Sequence, residues 1–454
     1  MDSEFVGVTV LPEYIQSEGV TALLDRLHGV GVTAVSTSPY LMKQVSPDEG
    51  HREPPIDAGA GSVRLLDREL WGKLELWVQT APSFASDRDL YKGLRYQPDE
   101  PTDLTAEQGH IIHEFIREAH ARGMTVTFQI QAAIPPAYRV QFGGPVDDDI
   151  PTLPTGEIPR NRLANNGSLA SPHIRDYHAA LTRDLLRHYP EIDGIRYDWP
   201  EYPPYFIDTV FADFSHHAST VAAEMGVDFD RMKQAAGDFR AKLQRLRDDD
   251  LDAATFESVA DDREGVGDWL DFKAALVERY LRHLREVMDQ EATGKLLLPN
   301  AFPPPWSRLS GMDFGRIAPI VDGIGMKLYT MHWPMMLRNY GESIMKWNPE
   351  LDEAKLCSAL ERWFNLGGSP PDTVAGFAYP SPADNHPVTA DAMVAKINQA
   401  SAASENVVFP IAHGYGPDDD YAYRLNVARQ ASRTGVYINR YAYLSDSKLH
   451  AIRG

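Results

Sequence analysis

The stretch Ile192-Asp-Gly-Ile-Arg-Tyr-Asp-Trp-Pro-Glu-Tyr-Pro203 begins as a short apolar strand and ends in a cluster of polar and aromatic residues. The strand is predicted to end before Pro200, because proline has no N–H to give to a sheet ladder. Alternate side chains of a strand share a face, so Arg196 and Asp198 are expected to point the same way. A nearby guanidinium keeps a carboxylate ionised. Asp198 is therefore predicted to be an anion at the C-terminal end of a buried strand, with Glu201 just beyond it.

Similar apolar stretches alternate with amphipathic helices along the whole chain. Further strands are predicted over 5–11, 32–36, 124–130, 295–301, 320–330, 407–413 and 436–441. A ninth candidate, 374–379, is expected not to belong to the same sheet. Such alternation favours a parallel sheet covered by helices. Eight units close into an α/β (β/α)8 TIM barrel, whereas six would give an open doubly wound sheet. We predict the barrel, because polar and aromatic residues follow nearly every strand and no Gly-x-Gly-x-x-Gly follows the first.

Helix signals separate these strands. Ser17 is expected to cap the first helix, and Thr105 to open another with Gln108 completing a capping box. Ser171 with Pro172 behind it is typical of a helix N-terminus.

Three long segments interrupt the alternation, one each after the second, third and fourth strands. Residues 40–101 are rich in Pro, Gly and Asp and hold one strand-like piece, 74–80; residues 131–170 form a second loop. Helical patterns fill 203–292, which is predicted to be an insertion. The whole chain, 1–454, is predicted to be one barrel domain, with a functional role for segments this long.

Composition excludes several classes of function. The 454 residues carry a net charge of −21, which disfavours nucleic acid and anionic membranes as partners. Cys357 is the only cysteine, so no internal disulfide or thiolate metal site is available. Neither a signal peptide nor an apolar stretch of roughly 18 residues is present, so a cytoplasmic protein is expected. No cofactor and no metal site is predicted, and homo-oligomer formation stays open.

The polar residues at the strand ends are expected to ring one barrel mouth. Asp198 and Glu201 are the candidate catalytic pair, since carbohydrate hydrolysis uses two carboxylates. The candidate substrate-binding residues are Arg196, Trp199, Tyr202, Gln129, Asn300, Lys327, Tyr329, His413 and Tyr40. Aromatic rings among them offer flat faces to sugar rings.

Two parts of the chain, 171–201 and 435–444, resemble hypothetical glycosyl hydrolase families with an amylase-like (β/α)8 barrel. In the better characterised amylase-like enzymes an arginine stands two residues before the strand-four aspartate, as Arg196 stands before Asp198. The resemblance implies that Asp198 is a nucleophile. It also implies a glutamate after strand five, where this chain has Pro299-Asn-Ala-Phe302 instead. Either Glu201 or a loop carboxylate then supplies the proton, or the chemistry is not amylase-like.

These patterns predict a glycoside hydrolase that cleaves a small or chain-end carbohydrate. A retaining outcome is expected, although the sequence does not set the carboxyl separation, which is about 5–5.5 Å in retaining and about 6.5–9.5 Å in inverting enzymes. A metal-dependent sugar isomerase, epimerase or lyase that uses Lys327 and His413 is the alternative. A third class is a carbohydrate-binding barrel without turnover.

Overall fold

The computed structural model of the protein describes residues 5–56, 64–253, 265–404 and 407–453. Within these ranges the strands are β1 (Phe5–Thr9), β2 (Ala34–Thr37), β3 (Tyr40–Val45), β4 (His51–Glu53), β5 (Leu76–Pro82), β6 (Thr125–Gln131), β7 (Gly194–Asp198), β8 (Leu296–Ala301), β9 (Ile324–Leu328), β10 (Val408–His413) and β11 (Gly435–Asn439).

Eight of these strands form a closed parallel barrel in the order β1-β2-β6-β7-β8-β9-β10-β11. The last strand closes onto the first, with Val6 opposite Val436 and Val8 opposite Ile438. The predicted (β/α)8 barrel is confirmed, and an open six-stranded sheet is excluded. Asp198 is the last residue of β7, the fourth strand of the barrel.

The ninth strand candidate does lie outside the barrel. Residues Val374–Gly376 form a 3-10 turn. The sixth barrel strand is also shorter than the predicted 320–330, because Ala318–Ile320 form another 3-10 turn before it. Asp322 then accepts the Leu297 N–H at 2.8 Å, which turns its side chain toward the neighbouring strand.

Helices cover the outside of the barrel. They span Pro12–Glu18, Val20–Gly29, Asp103–Gln108, His110–Ala121, Pro172–His188, Ile207–Val210, His216–Met225, Phe229–Leu243, Asp250–Ala253, Val266–Glu291, Trp306–Ser310, Phe314–Ile317, His332–Trp347, Glu353–Phe364, Ala390–Ala403, Asp418–Ala431 and Asp446–Ile452. The N-cap at Ser171 is confirmed, since its hydroxyl accepts the N–H groups of His173 and Ile174. The helix that Ser17 was expected to cap begins at Val20, with Gly19 at φ 81° as its N-cap, and Ser17 lies in a separate preceding helix, Pro12–Glu18. The helix predicted from Thr105 begins at Asp103, because Thr105 accepts the Thr102 N–H at 2.9 Å.

The segment 40–101 is less irregular than the sequence indicated. Its strands β3, β5 and β4 form a separate antiparallel sheet beside the barrel mouth. Tyr40 lies opposite Pro82 at one end of this sheet, and His51 lies opposite Val78. The sheet matters for the site because β4 ends at the buried Glu53.

An apolar layer fills the barrel below its polar mouth. This layer is formed by Ala34, Leu298, Phe409, Ile411 and Tyr437. Gly7 leaves room for Tyr437, because a Cβ atom at position 7 would lie 2.5 Å from the tyrosine ring. The guanidinium carbon of Arg196 lies 3.8 Å from the centre of the same ring, a cation–π contact. The apolar layer therefore ends at a buried cation.

Among the described residues, no helix combines the length and the apolar character needed to cross a bilayer.

Candidate active site

A cavity of about 250 Å³ lies at the C-terminal ends of the barrel strands. Its wall is formed by Leu11, Ser38, Pro55, Ile56, Arg64, Gln129, Gln131, Tyr138, Arg139, Val140, Gln141, Leu163, Asp198, Trp199, Tyr205, Tyr329, His332, His413, Asn439 and Arg440. This end of a barrel is where enzymes of the fold hold their active sites.

Asp198 is the one carboxylate in this wall among the described residues. Its Oδ1 atom lies 3.0 Å from Lys327 Nζ and accepts the Asn300 amide N–H at 3.2 Å. The residue is only 7% exposed, so one carboxylate oxygen contacts both the Lys327 ammonium group and the Asn300 amide with little access to solvent. Asp198 is thus held in one place at the edge of the cavity.

Glu201 lies one layer behind Asp198. Its Oε1 atom is 3.7 Å from Lys327 Nζ and accepts the Phe302 N–H at 3.1 Å, and Oε2 accepts the Ser310 hydroxyl at 2.6 Å. Complete burial raises the pKa of Glu201 to about 7, against the opposing effect of Lys327. Lys327 is therefore shared between a carboxylate at the cavity wall and a carboxyl group that is about half protonated at neutral pH.

Arg196 does not flank Asp198 directly, contrary to the pairing expected from the sequence. Its guanidinium donates to the Thr9 hydroxyl at 3.2 Å and to Asn300 Oδ1 at 3.1 Å. Asn300 uses its other amide atom for Asp198. Both side chains of β7 do point into the barrel, but strand β8 inserts an amide between them. Lys327 is the counter-ion that Arg196 was expected to be.

Trp199 continues the chain past Asp198 in the left-handed region, at φ 64°. For a bulky residue this conformation is strained, and such strain concentrates at functional sites. The indole stacks on Tyr205 with ring centres 5.5 Å apart, and Lys327 Nζ lies 4.5 Å from its ring centre. The Tyr205 hydroxyl in turn pairs with His332 Nδ1 at 2.8 Å. The turn therefore places a flat aromatic face next to Asp198.

A second part of the wall consists of arginine side chains that pair with buried carboxylates outside the cavity. One carboxylate oxygen of Glu53, in β4, accepts a hydrogen bond from Arg139 Nη2 at 2.7 Å. The other oxygen accepts one from Arg440 Nη2. Arg139 also meets Glu13 Oε1 at 3.3 Å. Burial would raise the pKa of Glu53, but the two arginines hold it below its ordinary value, while burial raises that of Glu13. Ion pairs buried this deeply position their members firmly.

The structure brings only part of the predicted site to the cavity. Asp198, Trp199, Gln129, Tyr329 and His413 line it, whereas Glu201, Arg196, Tyr202, Asn300, Lys327 and Tyr40 lie behind the wall. The Tyr40 hydroxyl bonds to Glu13 Oε2 at 3.1 Å, and the Tyr202 hydroxyl donates to Asp213 Oδ2 at 3.2 Å. Both tyrosines have internal partners, so we assign them to the support of the site.

Several wall residues were not singled out in the sequence. Arg64, Arg139, His332 and Arg440 lie in loops or at a helix start, where no local pattern marks them. Arg440 directly follows β11, so the rule that polar residues follow barrel strands was the one signal that could have found it.

One group of potential metal ligands lies elsewhere. Asp149, His173 and His217 have ligand atoms within 4.8 Å of one another, and none of the three lines the cavity. Asp149 Oδ2 already accepts the Tyr96 hydroxyl at 2.7 Å and Arg95 at 2.8 Å. His217 Nε2 lies 3.2 Å from the other oxygen of Asp149. Protein partners account for both oxygens of Asp149, whereas His217 Nε2 is buried and makes no hydrogen bond within the described part of the chain.

Comparisons with solved structures identify the fold. A β-galactosidase from the psychrophilic Marinomonas ef1 matches 98% of this chain at 10% identity with a TM-score of 0.51. A β-galactosidase from the Antarctic haloarchaeon Halorubrum lacusprofundi matches 99% at 12% identity with a TM-score of 0.52. The chain spans 56% and 57% of the lengths of those two proteins.

No protein-family model and no curated protein sequence matches the chain. The amylase-like resemblance therefore stays a prediction, while the chain is similar in fold to barrels of glycoside-cleaving enzymes.

Proposed function

We propose that the protein is a glycoside hydrolase acting on a small or chain-end carbohydrate. The observation that carries the proposal is Asp198, a carboxylate fixed by Lys327 and Asn300 at the wall of a mouth cavity. Because one barrel fold supports many chemistries, the proposal rests on this site rather than on the two similar β-galactosidases.

The cavity suits a single sugar ring. Its volume of about 250 Å³ lies just below the usual range of ligand pockets. Trp199 supplies a flat face, and Gln131 Oε1 is buried without a hydrogen-bond partner among the described residues. A buried acceptor without a partner costs free energy, which a sugar hydroxyl would recover by donating to it.

Asp198 is the group placed to act at the anomeric carbon. A carboxylate there attacks the carbon or stabilises the oxocarbenium-like charge of the transition state. Lys327 Nζ lies 3.0 Å from Asp198 and forms an ion pair with it, and Asn300 keeps the carboxylate oriented.

The leaving oxygen needs a proton, and the placement of Glu201 changes the role expected for it. Both oxygens of Glu201 are used by Phe302 and Ser310 behind the wall, so we assign it to positioning Lys327. His332 lines the cavity and bonds to the Tyr205 hydroxyl at 2.8 Å. We therefore place proton delivery on His332.

A retaining outcome stays part of the proposal. With Glu201 in a supporting role, the product anomer followed by NMR decides the outcome.

Replacing Asp198 tests the proposal on a panel of aryl glycosides. The Asp198→Ala variant should lose at least about a thousandfold in kcat/KM, because the group at the reacting carbon is gone. Arg117→Gln, an exposed change on the outer helix His110–Ala121, is the control and should leave the rate unchanged. A near-normal rate in Asp198→Ala rejects the hydrolase.

The identity of the proton donor is tested by leaving-group acidity. A dinitrophenyl leaving group needs no proton, so it should rescue a variant that has lost only its general acid. We expect rescue for His332→Gln and none for Glu201→Gln. The reverse pattern would return the acid role to Glu201.

A second candidate function is a sugar epimerase, isomerase or lyase. It is favoured by one observation: Asp198 is alone as a carboxylate in the described wall, beside His332 and His413. An unsaturated or epimerised product without hydrolysis would support this candidate, and loss of its formation with a chelator would support the metal-dependent form.

A further inference from the structure

A cluster of carboxylate and imidazole side chains lies outside the cavity, where the loop after β6 meets two helices. Asp149 belongs to that loop, and His173 and His217 each stand second in a helix of their own. One ligand atom from each of these three residues lies within 4.8 Å of the other two. None of the three lines the cavity at the barrel mouth, so the active site does not account for the cluster.

His217 contributes a buried nitrogen without a hydrogen bond. The residue is 8% exposed, and its Nε2 atom has no hydrogen-bond partner among the residues that the structure describes. That atom lies 3.2 Å from Asp149 Oδ1 and 3.4 Å from Asp148 Oδ2. A lone pair on Nε2 would be repelled by the two oxygens, and a proton on Nε2 would not be directed at either of them. A cation between the three atoms removes both conflicts, because each of them can donate a lone pair to it.

The distances are those of ligands around one small cation. Ligand atoms about 2.0–2.1 Å from a tetrahedral Zn²⁺ ion are roughly 3.3–3.4 Å apart. His217 Nε2 has both carboxylate oxygens at nearly that distance. The partly exposed ring of His173 has its centre 5.7 Å from that of His217, with the two planes at 80°. Its imidazole is therefore near enough to supply a second nitrogen.

Asp149 keeps one lone pair for such an ion. Its Oδ2 atom accepts the Tyr96 hydroxyl at 2.7 Å and Arg95 Nη1 at 2.8 Å, and its Oδ1 atom accepts the Ser171 hydroxyl. A carboxylate has about four lone-pair sites, so one remains, on the oxygen that lies near His217. The three donors also fix the orientation of the carboxylate, as the outer partners of metal ligands do.

The nearby arginine contacts the opposite carboxylate oxygens. Arg95 pairs with Asp148 Oδ1 and Asp149 Oδ2, whereas the atoms near His217 are Asp148 Oδ2 and Asp149 Oδ1. One guanidinium group stands beside two carboxylates, so the cluster offers more acidic than basic side chains to a divalent cation.

We propose that Asp149, His173 and His217 bind a divalent transition-metal ion, with Asp148 as a fourth ligand. Imidazole nitrogens combined with carboxylate oxygens suit Zn²⁺, whereas Ca²⁺ and Mg²⁺ prefer oxygen ligands alone. The ion is structural, because it joins two helices to the loop that supplies Arg139 to the cavity wall. It takes no part in the reaction proposed above, and it departs from the expectation, based on the sequence, that the chain has no metal site.

Metal binding by the full chain tests the proposal without any turnover. The protein carries no polyhistidine tag, is treated with a chelator, and is shown by elemental analysis to be free of metal. Calorimetry should then show one equivalent of Zn²⁺ bound, and Co²⁺ should give the intense visible absorption of a tetrahedral ion. Ca²⁺ and Mg²⁺ should bind at least about a hundredfold more weakly than Zn²⁺. Absence of stoichiometric Zn²⁺ binding, or tighter binding of Ca²⁺ or Mg²⁺, overturns the proposal.

Two histidine variants locate the ion. His217→Gln and His173→Gln should each weaken Zn²⁺ binding by more than about a hundredfold, since loss of an outer partner alone costs roughly tenfold to a hundredfold. His120→Gln is the matched control, because His120 also lies beside a carboxylate, 2.9 Å from Asp193 Oδ2, but belongs to no three-ligand group in the described ranges. Circular dichroism checks each fold, and the partly exposed His173 keeps the test informative if His217→Gln does not fold. Equal affinity in wild type and His173→Gln places the ion elsewhere and overturns the proposal.

A structural ion should also stabilise the protein. An ion that binds the native state and not the unfolded chain raises the melting temperature. Zn²⁺ should raise Tm by a few degrees in wild type and His120→Gln, but not in His173→Gln or His217→Gln. A protonated His217 paired with the two aspartates would need no metal, so an unchanged Tm in wild type overturns the proposal. None of these measurements uses turnover, so the metal site and the proposed hydrolase can fail independently.

Discussion

The Lys327 ammonium group lies between two carboxyl groups that differ in their surroundings. Glu201 is completely buried, with a pKa near 7, and Asp198 lies at the cavity wall. When Glu201 loses its proton, it competes with Asp198 for the same cation. The charge on Glu201 therefore sets how firmly Lys327 holds Asp198.

The raised pKa of Glu201 predicts a pH-dependent stability. In the unfolded chain its pKa is near the ordinary value of 4.5 and in the folded chain it is about 7, so between those values the native state binds more protons. The free energy of unfolding should then fall as pH rises from about 5 to about 8, by roughly 3 kcal/mol from this group.

Urea unfolding of wild type and Glu201→Gln at both pH values measures this effect. The amide imitates the protonated acid, so the variant should lose that part of the pH dependence, and the exposed Glu191→Gln should keep it. Equal pH dependence in wild type and Glu201→Gln would contradict the prediction.

At the scale of the elements, the antiparallel sheet β3-β5-β4 supports the site from outside the barrel. Its contribution is Glu53, which bonds to Arg139 in a loop and to Arg440 after β11. A side chain in a short edge strand thus fixes two segments that the barrel strands alone would not hold together.

Glu53→Gln should destabilise the protein by about 3–5 kcal/mol, because it leaves two buried guanidinium groups without their shared carboxylate. Glu75→Gln, at the residue directly before β5, is the matched control. Its carboxylate pairs with Arg52 but is 35% exposed, so we expect a change within about 1 kcal/mol. Chemical denaturation compares the two variants, and similar losses for both would refute the role given to Glu53.

The elements that the sequence predicted well are those with local signals. Apolar stretches bounded by Pro and Gly marked every barrel strand, and alternation within β7 placed Arg196 and Asp198 on one face. The strands β3 and β4 were missed, because Tyr40–Val45 turns polar halfway and His51–Glu53 has no apolar residue.

The partners within the site could not be predicted, since tertiary folding sets them. Glu53 bonds to Arg139, which is 86 residues away in the sequence, and to Arg440, which is 387 residues away. The insertion of Asn300 between Arg196 and Asp198 depends on the register of β7 against β8, which no local pattern reveals.

At the scale of the whole molecule, two buried lysines join long outer helices to neighbouring helices and loops. Lys273 Nζ donates to the carbonyls of Val210 and Leu309, and Lys396 Nζ to those of Pro304 and Phe364. Burial lowers the pKa of each lysine to about 7. Each side chain satisfies backbone groups that would otherwise lack a partner.

These two lysines predict a rise in stability at alkaline pH. Between about pH 7 and pH 10 the unfolded chain binds more protons than the folded one, so the free energy of unfolding should increase with pH, by about 2–4 kcal/mol for each group.

Lys273→Met and Lys396→Met should each reduce this increase in the free energy of unfolding. Lys295→Met is the control, because Lys295 also donates to two carbonyls but is partly exposed. Unfolding in urea at three pH values provides the measurement, and an unchanged slope in both variants would count against buried neutral lysines.

Closure of β11 onto β1 has a consequence for biosynthesis. Glu13 and Glu53 leave the ribosome early, whereas Arg440 follows after nearly all of the barrel has been translated. A nascent chain therefore exposes acidic side chains long before their last basic partner exists. Premature termination ahead of β11 would yield a polypeptide that contains Asp198 but no finished pocket around it.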